Sequence, residues 1–311
     1  MFRVILPLLV LLLTWQYSTW LAMIGIALFV VNPTIFRAFF CDTWFGAKTI
    51  FAIMLKLHSE EDFIFQGDET KPTIILLHGS NAHKEEFYPT IQYLKKFNHP
   101  IRAIQTSLPG NKYLKGIIKY NFNDGVLPDR TNNIDGVLPD DHEHHFSANN
   151  IDSSVYILTE KLKHLKLPNS QKIILVGHSM GGLVASKYST LYPDQVSHVI
   201  TFSSPFHGAP LLSNNFVMRL MGSSEKYKQM KPNSEWLKTL HNDLETKCRD
   251  IKMLTVGSPI DFHVPEHCAH LKQSVRFTVS DKMHLSIHLD KHVWEKIVQY
   301  ITEYPNNERR H

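Results

Sequence analysis

The run Val176-Gly177-His178-Ser179-Met180-Gly181-Gly182 sets a serine between glycines two residues to either side. A serine hydroxyl becomes a nucleophile when a base takes its proton and donors stabilise the charge on the attacked carbonyl. The residue types suit that chemistry. Small residues at those two positions let neighbouring backbone pass close to a serine held in a strained turn. Backbone N–H groups opening the next helix point at a developing oxyanion. The flanks agree: Ile173–Val176 is an apolar run of strand length, and Val184, Tyr188 and Leu191 recur at i, i+4, i+7, which predicts a helix. Strand, Gly-x-Ser-x-Gly and helix together make a nucleophile elbow.

A nucleophilic serine needs a histidine and an acid, and both have candidates just after predicted strands. Asp261 lies in Gly257-Ser258-Pro259-Ile260-Asp261-Phe262-His263-Val264-Pro265, behind the strand Ile251–Val256. His284 lies in Met283-His284-Leu285-Ser286, behind the strand Val275–Val279, with His288 and His292 as rivals at i+4 and i+8. His284 is preferred because it stands closer to the strand end. Ser179 would attack an acyl carbonyl, His284 would take its proton and pass it to the leaving group, and Asp261 would orient and stabilise the imidazolium.

These residues need a scaffold that brings strand ends together. Thr73–Leu77 is a continuous apolar run ending in His78-Gly79-Ser80, and such runs suit a parallel strand covered on both faces. A helix is expected near Glu85–Lys96, a strand at Ile101–Gln105, and a short strand near Asp62–Gln66. Ile151, Val155, Leu158, Leu162 and Leu165 step along one helix face until Pro168 closes it. Another strand follows at His198–Phe202. Leu211–Asp250 is amphipathic, with helical spacing at Trp236, Leu237 and Leu240, and is long enough for a lid. The chain closes on a helix carrying Val293, Trp294, Ile297, Val298 and Ile301, with Asp290 placed to cap it. Strands alternating with helices from Thr73 to Ile301 predict an α/β architecture: a mostly parallel central sheet with helices on both faces. In such sheets functional residues belong at the C-terminal strand ends.

The front of the chain is different. No charged residue lies between Arg3 and Arg37, and Val4–Leu13 and Trp20–Val31 are almost wholly apolar. One helix over Val4–Val31 would be about 42 Å long, enough to span a hydrocarbon core with tilt. Residues 1–36 are therefore expected to be a retained membrane anchor. A cleaved signal peptide and a buried helical hairpin are the alternatives. Arg3, Arg37 and Lys48, offset by Asp42, fix no orientation across the membrane. Residues 37–71 read as a linker or the start of the fold, with Lys48–Leu57 helical or extended, and 304–311 as a polar tail.

Composition narrows the functions. At 311 residues with 43% hydrophobic, the chain can bury a large core, which excludes general disorder. A net charge of +4 without a dense basic run makes nucleic acid a poor partner. The stretch 108–146 repeats Asp-Gly-Val-Leu-Pro-Asp at Asp124–Asp129 and Asp135–Asp140; its aspartates do not match a calcium-loop spacing, and it reads as a solvated insert. His142-Glu143-His144-His145 reads as an exposed polar tract. Cys41, near Phe39, Phe40 and Trp44, reads as a packing residue or an acylated thiol. The sequence leaves open whether Cys248 and Cys268 pair as a disulfide.

Residues 72–303 resemble the α/β-hydrolase superfamily, in its serine lipase and esterase group. The resemblance rests on Leu77-His78-Gly79, Gly177-His178-Ser179-Met180-Gly181-Gly182, Ser203-Ser204-Pro205-Phe206-His207-Gly208, Lys228-Gln229-Met230-Lys231-Pro232-Asn233-Ser234, and the Asp261 and His284 loops. The chain order Ser, Asp, His is that of the family. The resemblance implies that the N–H groups of Ser80 and Met180 form the oxyanion hole, supported by His78, Gly79, Gly177, His178 and Gly181. The insert at 108–146 departs from the family's pattern, and the length of 206–250 between two strands leaves room for a lid there. The resemblance implies no cofactor and no metal: where some bacterial lipases hold calcium with an aspartate two residues after the histidine, this chain has Ser286. The expected protein is a membrane-anchored serine hydrolase cleaving acyl or lipid esters. An acyltransferase or thioesterase on the same acyl-enzyme, and a catalytically silent membrane-bound binding module, are the alternatives.

Overall fold

The computed structural model describes residues 62–80, 82–106, 150–165, 171–214 and 224–303, with Thr34, Ile35, Arg37, Ala38, Phe40 and Asp42. The anchor segments Val4–Leu13 and Trp20–Val31, the stretch Lys48–Leu57, Cys41, the insert 108–146 and the tail 304–311 lie outside the described residues. Among the described residues, no helix is long and apolar enough to cross a membrane.

Among the described residues, seven strands form one sheet: β1 Phe63–Phe65, β2 Ile74–Leu77, β3 Ile101–Ile104, β4 Ile173–His178, β5 Val196–Phe202, β6 Lys252–Gly257 and β7 Val275–Thr278. Their order is β1-β3-β2-β4-β5-β6-β7. Of these, β1 runs antiparallel, against β3; the pairs from β3 through β7 are parallel. The short β1 keeps an otherwise parallel edge from presenting a long open strand.

Alternation along the strands builds two apolar layers. Ile75, Leu77, Ile173, Leu175, Val199 and Met253 face one, and Ile74, Leu76, Ile174, Val176, Ile200, Leu254 and Val256 face the other. Helices cover both. The first layer is roofed by α2 (Ile151–His164), α3 (Met180–Leu191) and α5 (Glu235–Lys247); the second by α1 (Tyr88–Leu94) and α7 (Lys291–Glu303). Two short helices, α4 (Glu225–Gln229) and α6 (Glu266–Ala269), lie in the loops between them. The expected helix over Glu85–Lys96 is a helical turn at Lys84–Phe87, then α1, then another turn at Lys95–Phe97. Pro89 explains the break: it lacks an N–H and fits only the first turn of an α-helix.

Caps set the helix starts. Asn150 accepts from the Ser153 N–H at 2.7 Å to begin α2, and Ser234 accepts from the Leu237 N–H at 3.2 Å to begin α5. Asp290 accepts from the N–H groups of His292 (2.9 Å) and Val293 (3.1 Å), capping α7 as its position predicts. The structure answers the cysteine question left open by the sequence: Cys248 and Cys268 are free, buried thiols. Cys248 ends α5 with its Sγ 3.8 Å from Ser189 Oγ of α3, and Cys268 packs within α6. Each fills core volume, which is the commonest role of a buried cysteine.

Candidate active site

The parallel strands aim their C-terminal ends at one edge, and the predicted residues gather there. Ser179 follows β4 at the centre of the sheet, the Ser80 loop follows the neighbouring β2, and the Asp261 and His284 loops follow β6 and β7. Ser179 has φ 53° and ψ −123°, a backbone strain that a non-glycine residue bears only where surrounding structure enforces it. Its own N–H is tied to the Phe202 carbonyl at 2.8 Å. The flanking glycines are required by contact. A Cβ on Gly177 would lie 2.3 Å from the Gly181 and Gly182 backbone, and one on Gly181 would lie 2.1 Å from the Leu77 carbonyl oxygen. The elbow helix therefore sits directly against the ends of β2 and β4.

A continuous hydrogen-bond chain runs from the serine. Ser179 Oγ donates to His284 Nε2 at 3.0 Å, and His284 Nδ1 donates to Asp261 Oδ2 at 2.8 Å. The tautomer follows from the partners, because the carboxylate only accepts. The other oxygen, Asp261 Oδ1, accepts from the N–H groups of His263 and Val264, each at 2.9 Å. Burial pushes the Asp261 carboxyl up, but the adjacent His284 and these hydrogen bonds outweigh it and hold the group below its ordinary value. The rival histidines face elsewhere. His288 is fully buried and donates from Nε2 to the Glu86 carbonyl at 3.2 Å, while His292 is exposed beside Glu295.

On the opposite side of Ser179 lies the loop His78-Gly79-Ser80. A Cβ on Gly79 would fall 3.2 Å from Ser179 Cβ, so a side chain here would crowd Ser179. Met180 is the first residue of α3, whose leading N–H groups lack intrahelical partners. His78 shapes the loop as a neutral ring: Nδ1 donates to the Gly79 carbonyl at 2.8 Å, and Nε2 accepts the Thr106 N–H at 3.1 Å. Burial lowers its pKa to about 4, in keeping with that tautomer.

Beneath the elbow is a carboxylate that the sequence pattern does not single out. Glu86 Oε1 accepts the Gly79 N–H at 3.1 Å and lies 3.2 Å from His178 Nδ1. The other nitrogen of His178, Nε2, donates to the His284 carbonyl at 2.8 Å. Both partners of His178 are acceptors, so both its nitrogens carry protons and the ring is an imidazolium. Burial opposes that charge, but Glu86 and the two hydrogen bonds raise the His178 pKa. The same pairing overcomes burial at Glu86 and holds its pKa near 2. A buried ion pair thus links the His78-Gly79-Ser80 loop, the elbow and the His284 loop. The local signal is faint: an acidic pair, Glu85-Glu86, with Glu86 seven residues after Gly79 and nothing to show which one turns inward.

A cavity of about 250 Å³ opens at Ser179, bounded on its polar side by Gly79, Ser80, His178, His263 and His284. Its other walls are apolar: Pro205, Ala209, Leu211, Leu212, Tyr227, Met230, Val264 and Leu285. Within 206–250, Ala209, Leu211, Leu212, Tyr227 and Met230 supply walls of this cavity, whereas α5 buries Leu237, Leu240 and Leu244 in the core beside α3. The family-like segments at 203–208 and 228–234 meet here: the Ala209 N–H donates to the Met230 carbonyl at 2.9 Å, and Gly208, at φ 87°, passes against Pro232. Asp261, His263 and His284 offer ligand atoms within 4.8 Å of one another. Two of the three, Asp261 and His284, are already hydrogen-bonded to each other.

Residues 123–302, more than half the chain, match the PGAP1-like alpha/beta domain; the match contains Ser179, Asp261 and His284, and the His78 loop precedes it. Among curated proteins, the chain is 27% identical over 181 residues to human "Monoacylglycerol lipase ABHD6", covering 57% of this chain and 44% of that protein. It is 34% identical over 77 residues to "GPI inositol-deacylase" of Kluyveromyces lactis, covering 24% of this chain and 8% of that one. The chain therefore spans less than half the length of these relatives. Among solved structures, the mature Bacillus licheniformis lipase BlEst2 aligns with a TM-score of 0.56 at 15% identity, over 78% of this chain and 99% of that one. Paleococcus ferrophilus monoacylglycerol lipase aligns at 0.51 and 15%, over 79% and 98%. The fold is the α/β-hydrolase fold.

Proposed function

Since the chain belongs to the PGAP1-like alpha/beta domain family, within the α/β-hydrolase lipases and esterases, we propose that it is a membrane-anchored serine hydrolase of acyl esters in lipids. The observation that carries this is the unbroken Ser179–His284–Asp261 hydrogen-bond chain at the mouth of an apolar cavity. His284 Nε2 takes the Ser179 proton as Oγ attacks the ester carbonyl. The tetrahedral oxyanion is received by the Ser80 and Met180 N–H groups. His284 then protonates the leaving alcohol, which departs and leaves an acyl-serine. Water, deprotonated by the same imidazole, attacks the acyl-serine; its collapse releases the fatty acid and restores Ser179. Asp261 keeps Nδ1 protonated throughout and stabilises the imidazolium.

Three features support a lipid substrate at a bilayer. The cavity walls away from the triad are apolar, suited to an acyl chain. The names of the two relatives denote a lipase and a deacylase. Asp42, whose side chain touches the His284 loop, follows Val31 by 11 residues. A chain of that length spans at most about 40 Å, so the site stays within that reach of the apolar segment. In this reading residues 1–36 anchor the protein, a lid over the acyl chain lies within 206–250, and 108–146 form an insert. No cofactor or metal is required.

The test uses wild type and Ser179→Ala, assayed on p-nitrophenyl esters of increasing chain length beside a fluorescent phosphonate label. Labelling and turnover in wild type, both abolished in the variant, are expected, with turnover favouring longer acyl chains. A folded wild type that neither labels nor turns over any ester overturns the proposal.

A further inference from the structure

The His284 loop is gripped from two sides. On one, the His284 carbonyl accepts from His178. On the other, the grip comes from the far end of the sequence. Asp42 belongs to a helical stretch with Thr34, Ile35, Arg37, Ala38 and Phe40. The residue is 7% exposed. Asp42 Oδ2 accepts the Leu285 N–H at 2.9 Å, and Oδ1 accepts the Ser286 N–H at 2.8 Å and the Ser286 hydroxyl at 2.5 Å. These are the first two N–H groups after His284. Ser286 precedes the short helical turn Ile287–Leu289 but gives it no side-chain cap, because its hydroxyl is committed to Asp42.

We propose that Asp42 is a positioning residue for His284, so that the segment following the apolar N-terminus completes the catalytic site from outside the sheet. This rests on His284 being the general base of the proposed hydrolase. The physical case is geometric. His284 must keep one nitrogen 3.0 Å from Ser179 Oγ and the other 2.8 Å from Asp261, and a shift of about 1 Å at such a group costs on the order of 100-fold in rate. The ring follows the backbone of residues 283–286. Three hydrogen bonds to a single buried carboxylate, two of them charge-assisted bonds from backbone, hold that backbone. Asp42 itself lines no wall of the cavity, so its loss acts on the chemical step more than on substrate binding.

The test compares full-length Asp42→Ala, Asp42→Asn, Ser286→Ala and the Asp42→Ala/Ser286→Ala pair by ester kinetics and by amide hydrogen exchange over residues 279–290. Asp42→Ala is expected to lower kcat about 10- to 100-fold with KM within about twofold, and to speed exchange at Leu285 and Ser286. Asp42→Asn, which keeps one acceptor oxygen, recovers part of kcat. Ser286→Ala, which keeps both backbone acceptors, loses about two- to fivefold, and the double variant is no worse than Asp42→Ala alone. Unchanged exchange at 285 and 286, or a lowered melting temperature with wild-type kcat in the folded fraction, overturns the proposal. Exchange is read without turnover, and His284→Asn measured alongside reports separately on the general base. Retained turnover in His284→Asn defeats the hydrolase assignment, whereas unchanged exchange in Asp42→Ala defeats this one.

Discussion

Replacing Glu86 with Gln removes the charge from the ion pair beneath the elbow while keeping its shape. Both side chains of the pair are 2% exposed, and Glu86 Oε1 stands 3.2 Å from His178 Nδ1. At an effective dielectric of about 20, unit charges at that distance attract by about 5 kcal/mol. Removing one partner of such a pair strands the other and costs roughly 3–5 kcal/mol. His178 has an escape, because it can lose its Nδ1 proton and still donate from Nε2 to the His284 carbonyl. The net loss should therefore be about 2–4 kcal/mol near pH 6, below the full cost of a stranded charge. The Gly79 N–H also loses its charged acceptor, so the proposed oxyanion loop loosens and kcat should fall about 10- to 100-fold. Urea unfolding followed by the fluorescence of buried Trp294, together with ester kinetics, measures both. The pH dependence carries a sign. The Glu86 pKa is about 2 in the fold against 4.5 in its ordinary state, so its contribution is complete above 4.5 and fades as pH falls toward 2. The stability difference between wild type and Glu86→Gln must shrink over that window. A variant within about 0.5 kcal/mol of wild type, with kcat within about twofold at pH 6, would refute the ion-pair account.

Other outcomes follow from the same geometry. His78 and His288 are held neutral by burial, with pKa values of about 4 against 6.5; the unfolded chain binds more protons between those values, so stability is full above 6.5 and falls as pH drops to 4. Each group contributes on the order of 3 kcal/mol, and His288→Gln should make the acid limb of an unfolding-midpoint curve shallower; an unchanged limb contradicts this. The raised pKa of His178 acts oppositely, supporting the fold below pH 6.5 and fading as pH rises through its folded value. Gly79→Ala places a methyl 3.2 Å from Ser179 Cβ and 3.3 Å from His178 Nδ1, and should cost at least about tenfold in kcat with only a small change in unfolding midpoint. Cys248 and Cys268 should resist a thiol reagent in the native protein and react once it is unfolded, and a reductant should leave the melting temperature unchanged; rapid native labelling of either contradicts their burial.

The strand-elbow-helix run around Ser179 is legible in the amino-acid sequence because it is a local device whose residue types declare it: glycines where backbone crowds, an apolar strand ahead, a helix period behind. Strands β2 through β5 read clearly because each is a largely apolar run, as strands buried on both faces of a sheet must be. Asp261 and His284 stand as candidates because they follow strand ends in order, although His288 is a rival only four residues away. Boundaries are less legible. Pro89 splits the expected first helix, and the two cysteines whose pairing the sequence leaves open are separate packing thiols.

What only tertiary structure decides is how groups distant in sequence share one buried space. Periodicity places His288 as readily as His284 near the site; packing turns His288 onto the Glu86 backbone and His284 onto Ser179. Whether Glu85 or Glu86 points inward, and whether His178 is charged, depends on acceptors supplied by three different loops. Asp42, in sequence one charge beside an apolar segment, gains its partners from the opposite end of the chain. Local sequence encodes elements because backbone geometry repeats over a few residues. It does not encode these long-range hydrogen bonds, whose partners meet only after the sheet has set the distances between loops.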